Sequence, residues 1–302
     1  MSAVADTSKL TWLNRRAYPF APHHMMGEGG RLHYIDEGSG SPIVFLHGSP
    51  TWSFMFRNVI REMSRDYRCV ALDHIGFGLS DKPTDFSYSP ANHCRNLTKL
   101  IGELGLKDIT LVMHDFGGPV GLSYALDHLD NVKRIVLSNT WMWDLSKDPA
   151  AQKVGKVASN GMGKFMYLNT CVAPKLIKPL FCDRTKYTDD VHAAYFGPFE
   201  PKEDRVGTYC MAKHLLESGA WYSEIWAQRE ALMQKQMLLL WGLKDPTFGE
   251  KSLNKVWHEF PLVDVHSFDD TGHFLYEEKP REIVAALRAF MTAPVKTTGY
   301  IA

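Results

Sequence analysis

Three things this chain lacks bound what it can be. It carries no excess of charge, with 34 Lys and Arg against 34 Asp and Glu. A balanced chain offers no electrostatic case for nucleic acid or an anionic membrane surface as main partner, so function is expected in a site that takes a small molecule. Paired cysteines are also missing: Cys69, Cys94, Cys171, Cys182 and Cys210 are odd in number and have no metal-ligand spacing. They read as reduced, mostly buried thiols of a cytoplasmic protein with no metal and no cofactor implied. Third, no apolar run approaches the length of a membrane span, and the segment MSAVADTSKLTWLNRRAYPF lacks the apolar core of a signal peptide. Repeats and low-complexity tracts are absent too. Loose ends are expected only at Met1–Thr11 and Thr297–Ala302.

What is present is the stuff of a globular α/β domain. The 302 residues are 45% hydrophobic, enough for one large core carrying an insertion. Short apolar runs at Pro42–Leu46, Tyr67–Leu72, Ile109–Met113, Arg134–Ser138, Met237–Trp241 and Val263–Phe268 read as strands. Helical periodicity marks Phe54–Ser64, Ala91–Leu104, Gly118–His128 and Glu282–Met291. This alternation predicts a mostly parallel central sheet flanked by helices. Met25–Met26 and Arg31–Asp36, around Gly29 and Gly30, predict an antiparallel hairpin at its edge. From Trp141 to Gln236 the alternation stops, and helical stretches rich in aromatics take over. The expected organisation is a core of residues 12–140 and 237–295 with a helical cap, 141–236, inserted over the strand ends where open α/β sheets bind ligands. A separate second domain is the alternative, but both flanks return directly into strand-like runs.

Asp115 is the most informative position. In ITLVMHDFGGPVGL a β-branched strand runs into a Gly-flanked turn and then a helix, the layout that displays a nucleophile at the tip of a sharp elbow. An Asp there could simply cap the helix. As a nucleophile it differs from Ser, because a carboxylate is ionised at neutral pH, attacks without a base and forms an alkyl ester. Two later strand ends supply partners, Asp245 in WGLKDP and His273 in TGHF. Nucleophile, acid, His is the chain order of an α/β-hydrolase. Asp245 ranks above Asp269 and Asp270 as the acid because it ends its own strand. HGSPTW, after the strand IVFL, can aim the Ser49 N–H at the same point as the Phe116 N–H, an oxyanion hole. His47 and His114 read as buried structural histidines, and DHIGFGLSDKP as an architectural loop. Trp52, Trp141, Trp143 and Tyr195 are candidate substrate contacts.

Together HGSPTWSFMFR, DHIGFGLSDKP, HDFGG, WGLKDP, GHF and the segment AAYFGPFEPKEDRVG resemble the haloalkane dehalogenases of the α/β-hydrolase superfamily, from about Tyr18 to Pro294. The resemblance implies the α/β-hydrolase fold, with Asp115 as nucleophile, His273 as base and Asp245 as acid. It also implies carbon–halogen cleavage on a small apolar substrate by a cofactor-free monomer or homodimer. One departure stands out. The family's leaving halide is held by two N–H donors, one from a Trp directly after the nucleophile and one from an Asn after the HG pair or a cap Trp. Here those first positions are Phe116 and Ser49, and Trp141, Trp143, Trp221 and Trp226 are the candidate replacements. Met113, two residues before Asp115, is larger than the turn is expected to favour. Epoxide hydrolysis, with cap tyrosines protonating the opening oxygen, and β-lactone opening are rival chemistries on the same nucleophile. A ligand sensor on a hydrolase scaffold is the non-enzymatic rival, disfavoured by the intact Asp115, Asp245 and His273.

Overall fold

The computed structural model describes residues 10–260 and 263–294. Apart from Leu10 and Thr11, the ends expected to be loose lie outside the described residues, as does Val295 at the expected core boundary. The strands are β1 (His23–Gly27), β2 (Gly30–Glu37), β3 (Pro42–Leu46), β4 (Arg68–Leu72), β5 (Ile109–His114), β6 (Val132–Ser138), β7 (Gln236–Gly242) and β8 (Asp264–Phe268). They form one sheet in the order β1-β2-β4-β3-β5-β6-β7-β8. β1 and β2 make the antiparallel hairpin, β2 runs antiparallel to β4, and every later pairing is parallel.

In chain order the helices are α1 (Arg57–Met63), α2 (Pro90–Glu103), α3 (Gly117–Asp127), α4 (Pro149–Ala158), α5 (Gly161–Thr170), α6 (Val172–Lys175), α7 (Asp189–Phe196), α8 (Val206–Glu217), α9 (Gly219–Ala227), α10 (Glu250–Glu259), α11 (Leu275–Glu278) and α12 (Pro280–Thr292). Where one helix was expected from Phe54, the chain first makes a tight 3-10 turn over Ser53–Phe56. All four of its side chains are buried, more than one face of an α-helix would bury.

Helices cover both faces of the sheet, so its central strands are largely apolar. β5 and β7 are buried at every position. Their side chains alternate between two cores, with Val112, Leu238 and Leu240 packing on the α1 and α12 side and Leu111, Met113 and Leu239 on the α2 and α3 side. The Met113 side chain lies where a Cβ on Gly121 would collide with it, so the glycine makes the room that a large residue before the turn needs. From Pro149 to Gln234, between β6 and β7, the chain is all helix and 3-10 turn. A third core joins this segment to the strand ends through Phe77, Phe116, Trp141, Met211, Leu215, Tyr222 and Phe248.

Candidate active site

Asp115 sits one residue past β5, in the middle of the sheet, with φ of +52°. A non-glycine residue in the left-handed region costs energy, and neighbours without side chains make it sterically feasible. A Cβ on Gly48 would strike the Asp115 carboxylate, one on Gly117 the Leu46 carbonyl, and one on Gly118 the Thr140 hydroxyl. The Thr140 hydroxyl donates to the Asp115 carbonyl at 2.6 Å, fixing the elbow from β6.

The carboxylate is split between two environments. Oδ1 accepts the Ser49 N–H at 2.9 Å, and the Phe116 N–H also bonds the carboxylate. Oδ2 lies 3.7 Å from His273 Nε2. His273 Nδ1 is 2.6 Å from Asp245 Oδ2, which places the proton on Nδ1 and the free lone pair on the side of Asp115. All three groups are buried, so their charges act at short range with little screening. Burial raises the Asp115 carboxyl above the usual carboxylate range, against the His273 charge and the two N–H donors. Burial would raise Asp245 as well, but the charge and hydrogen bond of His273 outweigh it and hold Asp245 low. For His273 burial pulls downward, and the charge and hydrogen bond of Asp245, with the charge of Asp115, leave the imidazole above its usual value. Asp269 and Asp270 are exposed, and Asp270 pairs with Lys279 at 2.6 Å.

A cavity of about 130 Å³ opens on Asp115 and His273. Its floor is Ser49, Pro50, Phe116, Thr247, Phe248 and Phe274, and its roof is largely aliphatic, from Val154 on α4, Ala173 on α6, Leu176, Ile177 and Leu180 after it, and Ala212 and Leu215 on α8. The four aromatic residues expected to touch substrate are not in this lining. Trp52 donates its indole N–H to the Ala194 carbonyl and Tyr195 its hydroxyl to Glu277, both inside the core. Trp143 packs against Trp226 under the Lys255 ammonium and faces a separate surface pocket. Trp141 lies one layer back, stacked on Phe248 at 4.7 Å and edge-on to Phe116 at 4.8 Å, and its buried indole N–H has no partner. The four rings expected at the substrate are taken up by packing, leaving Phe116, Phe248, Phe274, Tyr167 and aliphatic side chains to face the cavity. Among the tyrosines of that segment only Tyr167 lines it, while the hydroxyls of Tyr187, Tyr195 and Tyr222 bond His192, Glu277 and the His214 carbonyl.

Several positioning residues escaped the sequence reading. Asn139, at φ of +34°, donates to Asp245 Oδ2 at 3.0 Å and to the carbonyls of Gly242 and Phe248, while its own oxygen accepts the Gly242 N–H. Glu278 accepts the N–H of Gly272 and of Asp183, tying the His273 loop to the helical segment. The signal in Asn139 was its place at the end of β6 beside Thr140, matching the ends of β5 and β7. His47 and His114 are buried as expected: the His74 N–H donates to His47 Nε2, and His114 Nε2 bonds the His273 carbonyl at 2.8 Å. In the loop after β4, Asp73 accepts the N–H groups of Ser53 and Leu79 and pairs with His33.

This sheet order, elbow and carboxylate–imidazole–carboxylate line agree with comparison to known proteins. The α/β-hydrolase fold family model matches residues 41–280. The chain therefore belongs to the α/β-hydrolase fold family. It is 34% identical over 291 residues to a cis-3-alkyl-4-alkyloxetan-2-one decarboxylase of Shewanella oneidensis, covering 91% of this chain and 89% of the relative. It is 32% identical over 273 residues to haloalkane dehalogenase 2 of Mycobacterium bovis, covering 89% and 94%. The crystal structure of a haloalkane dehalogenase from Bradyrhizobium elkani superposes with a TM-score of 0.80 at 26% identity, covering 91% of this chain and all of that one. Within the family, then, this is a haloalkane dehalogenase-like enzyme.

Proposed function

We propose that the enzyme hydrolyses an activated bond to an sp3 carbon, a carbon–halogen bond in the first instance, on a small apolar substrate through an alkyl ester on Asp115. The split environment of the Asp115 carboxylate carries this reading. Oδ2, on the side of His273, attacks carbon in line and expels the leaving group. His273, with its Nδ1 proton held by Asp245, then takes a proton from water, which adds to the ester carbon. The charge that develops on Oδ1 falls on the N–H of Ser49, which already bonds that oxygen, with the N–H of Phe116, which also bonds the carboxylate, as the second donor. Collapse of the intermediate releases the alcohol and restores Asp115. No cofactor enters this scheme.

Residues 141–236 act as the cap, roofing the cavity and keeping bulk water from the ester. The cavity of about 130 Å³ suits a molecule near the size of benzene. For a departing halide the candidate donor is the buried, unpartnered indole N–H of Trp141, which lies behind Phe116 and outside the cavity lining, so it serves only if the Phe116 ring yields. A second reading draws on the cavity's lack of any side-chain N–H other than that of His273 among its lining residues. Opening a β-lactone at carbon leaves a carboxylate on the substrate itself, which needs no halide pocket, and a relative named for oxetan-2-one decarboxylation is 34% identical over 91% of this chain. An epoxide needs a pair of hydroxyl donors, and the lining offers one tyrosine.

The test is His273→Phe incubated with short bromoalkanes, with cis-β-lactones and with epoxides, followed by mass spectrometry of the Asp115 peptide. An alkyl adduct from the bromoalkane together with halide release by the unsubstituted enzyme supports the first reading. Alkene and carbon dioxide from the lactone without halide release transfers it to the second. No adduct from any substrate that turns over rejects the covalent scheme.

A further inference from the structure

The balanced charge of the whole chain conceals a strongly uneven distribution. Between residues 149 and 182 there are five lysines, Lys153, Lys156, Lys164, Lys175 and Lys178, and no Asp or Glu, leaving 29 basic against 34 acidic residues in the rest. All five are exposed. The same stretch holds four of the large apolar side chains left in solvent, Met162 at 70% exposure, Phe165 at 57%, Leu176 at 48% and Val157 at 39%. On α5, Met162 and Phe165 are three residues apart and share one helix face. The inner faces of these helices are already used, since Val154, Tyr167, Ala173 and Leu176 line the active-site cavity.

We propose that the outer face of α4 to α6 docks the enzyme on an anionic lipid bilayer, with the lysines at the headgroups and Met162, Phe165 and Leu176 in the acyl boundary. Exposed apolar side chains interspersed with exposed lysines, along a segment without carboxylates, match that surface in both charge and polarity. Leu176 belongs to both the exposed face and the cavity wall, so the docked enzyme holds its cavity mouth against the phase where apolar substrates concentrate. Docking itself is independent of which bond the site breaks; only the benefit for substrate capture rests on the reading above. No helix among the described residues is long and apolar enough to cross a membrane, so the association is peripheral.

The full chain is sedimented with vesicles of phosphatidylcholine, with and without phosphatidylglycerol, at low and high salt. The expected result is binding about tenfold or more stronger to the anionic vesicles and lost at high salt. Lys156→Glu with Lys164→Glu abolishes it, and Phe165→Ser weakens it, while circular dichroism and turnover of a water-soluble substrate stay unchanged. Failure to bind any vesicle, or binding that the charge reversal leaves intact, overturns the proposal. So does a concentration-dependent dimer that Phe165→Ser dissolves in place of lipid binding, which assigns the face to a second copy of this chain.

Discussion

At the scale of the residue, the chemistry depends on which ionisation state each partner holds. His273 must be neutral to accept a proton, and its imidazole sits above the ordinary value of 6.5. The rate of ester breakdown is therefore expected to rise with pH along an acid limb set by the ionisation of His273, measured by rapid quench of the Asp115 ester. Asp245→Asn removes the main upward pull, so that limb should move to lower pH as the rate falls. Trp141→Phe removes one N–H and little volume. If that proton meets the leaving halide, bromoalkane turnover falls by about tenfold to a hundredfold with unchanged thermal stability; an unchanged rate removes Trp141 from the site. Met113, which looked oversized, is explained by Gly121 beneath it. That pairing was invisible in sequence because it depends on the angle at which α3 leaves the elbow.

At the scale of the element, the elbow works as a unit built from β5, the start of α3 and the ends of β3 and β6. Gly118→Ala would push a methyl group into the Thr140 hydroxyl, which holds the Asp115 backbone. A shift of about 1 Å at the nucleophile costs on the order of a hundredfold in rate, so kcat should fall by about that factor while the protein still folds, checked by single-turnover kinetics beside circular dichroism. Elements were largely legible from periodicity. β3 spans the expected residues, and β4 to β7 differ by a residue or two at their ends. Buried parallel strands carry nearly continuous apolar runs, and long amphipathic helices carry a clear stripe. The turn at Ser53–Phe56 was not legible as 3-10, because a serine followed by three large apolar residues satisfies either helix type until their partners are known.

At the scale of the whole molecule, the burial of histidines sets a limit in acid. His24 is lowered to about 4 and His93 to about 3, and His47, His74 and His114 are also lowered, each chiefly by burial. The unfolded chain binds their protons first, so their neutral forms favour the folded state fully above about 6.5 and that stability is lost as pH falls toward 4 and 3. His273 runs the other way: raised in the fold, it contributes stability at low pH that is lost as pH rises through its folded value. The five lowered groups outnumber it. The melting temperature should drop steeply below about pH 6, and His93→Leu should flatten that slope, followed by calorimetry across pH.

Local pattern in the sequence carries the class of fold, the strands and the candidate nucleophile, base and acid, because each of these is written in periodicity or in the residue that ends a strand. The lining of the cavity, the partners of the buried rings and the exposure of the lysine-rich segment came from tertiary structure. Asn139 meets Asp245 across 106 positions, and Ser49 meets Asp115 across 66. Which ring turns toward the cavity and which is consumed in the core depends on such distant pairings. Local pattern carries no record of them.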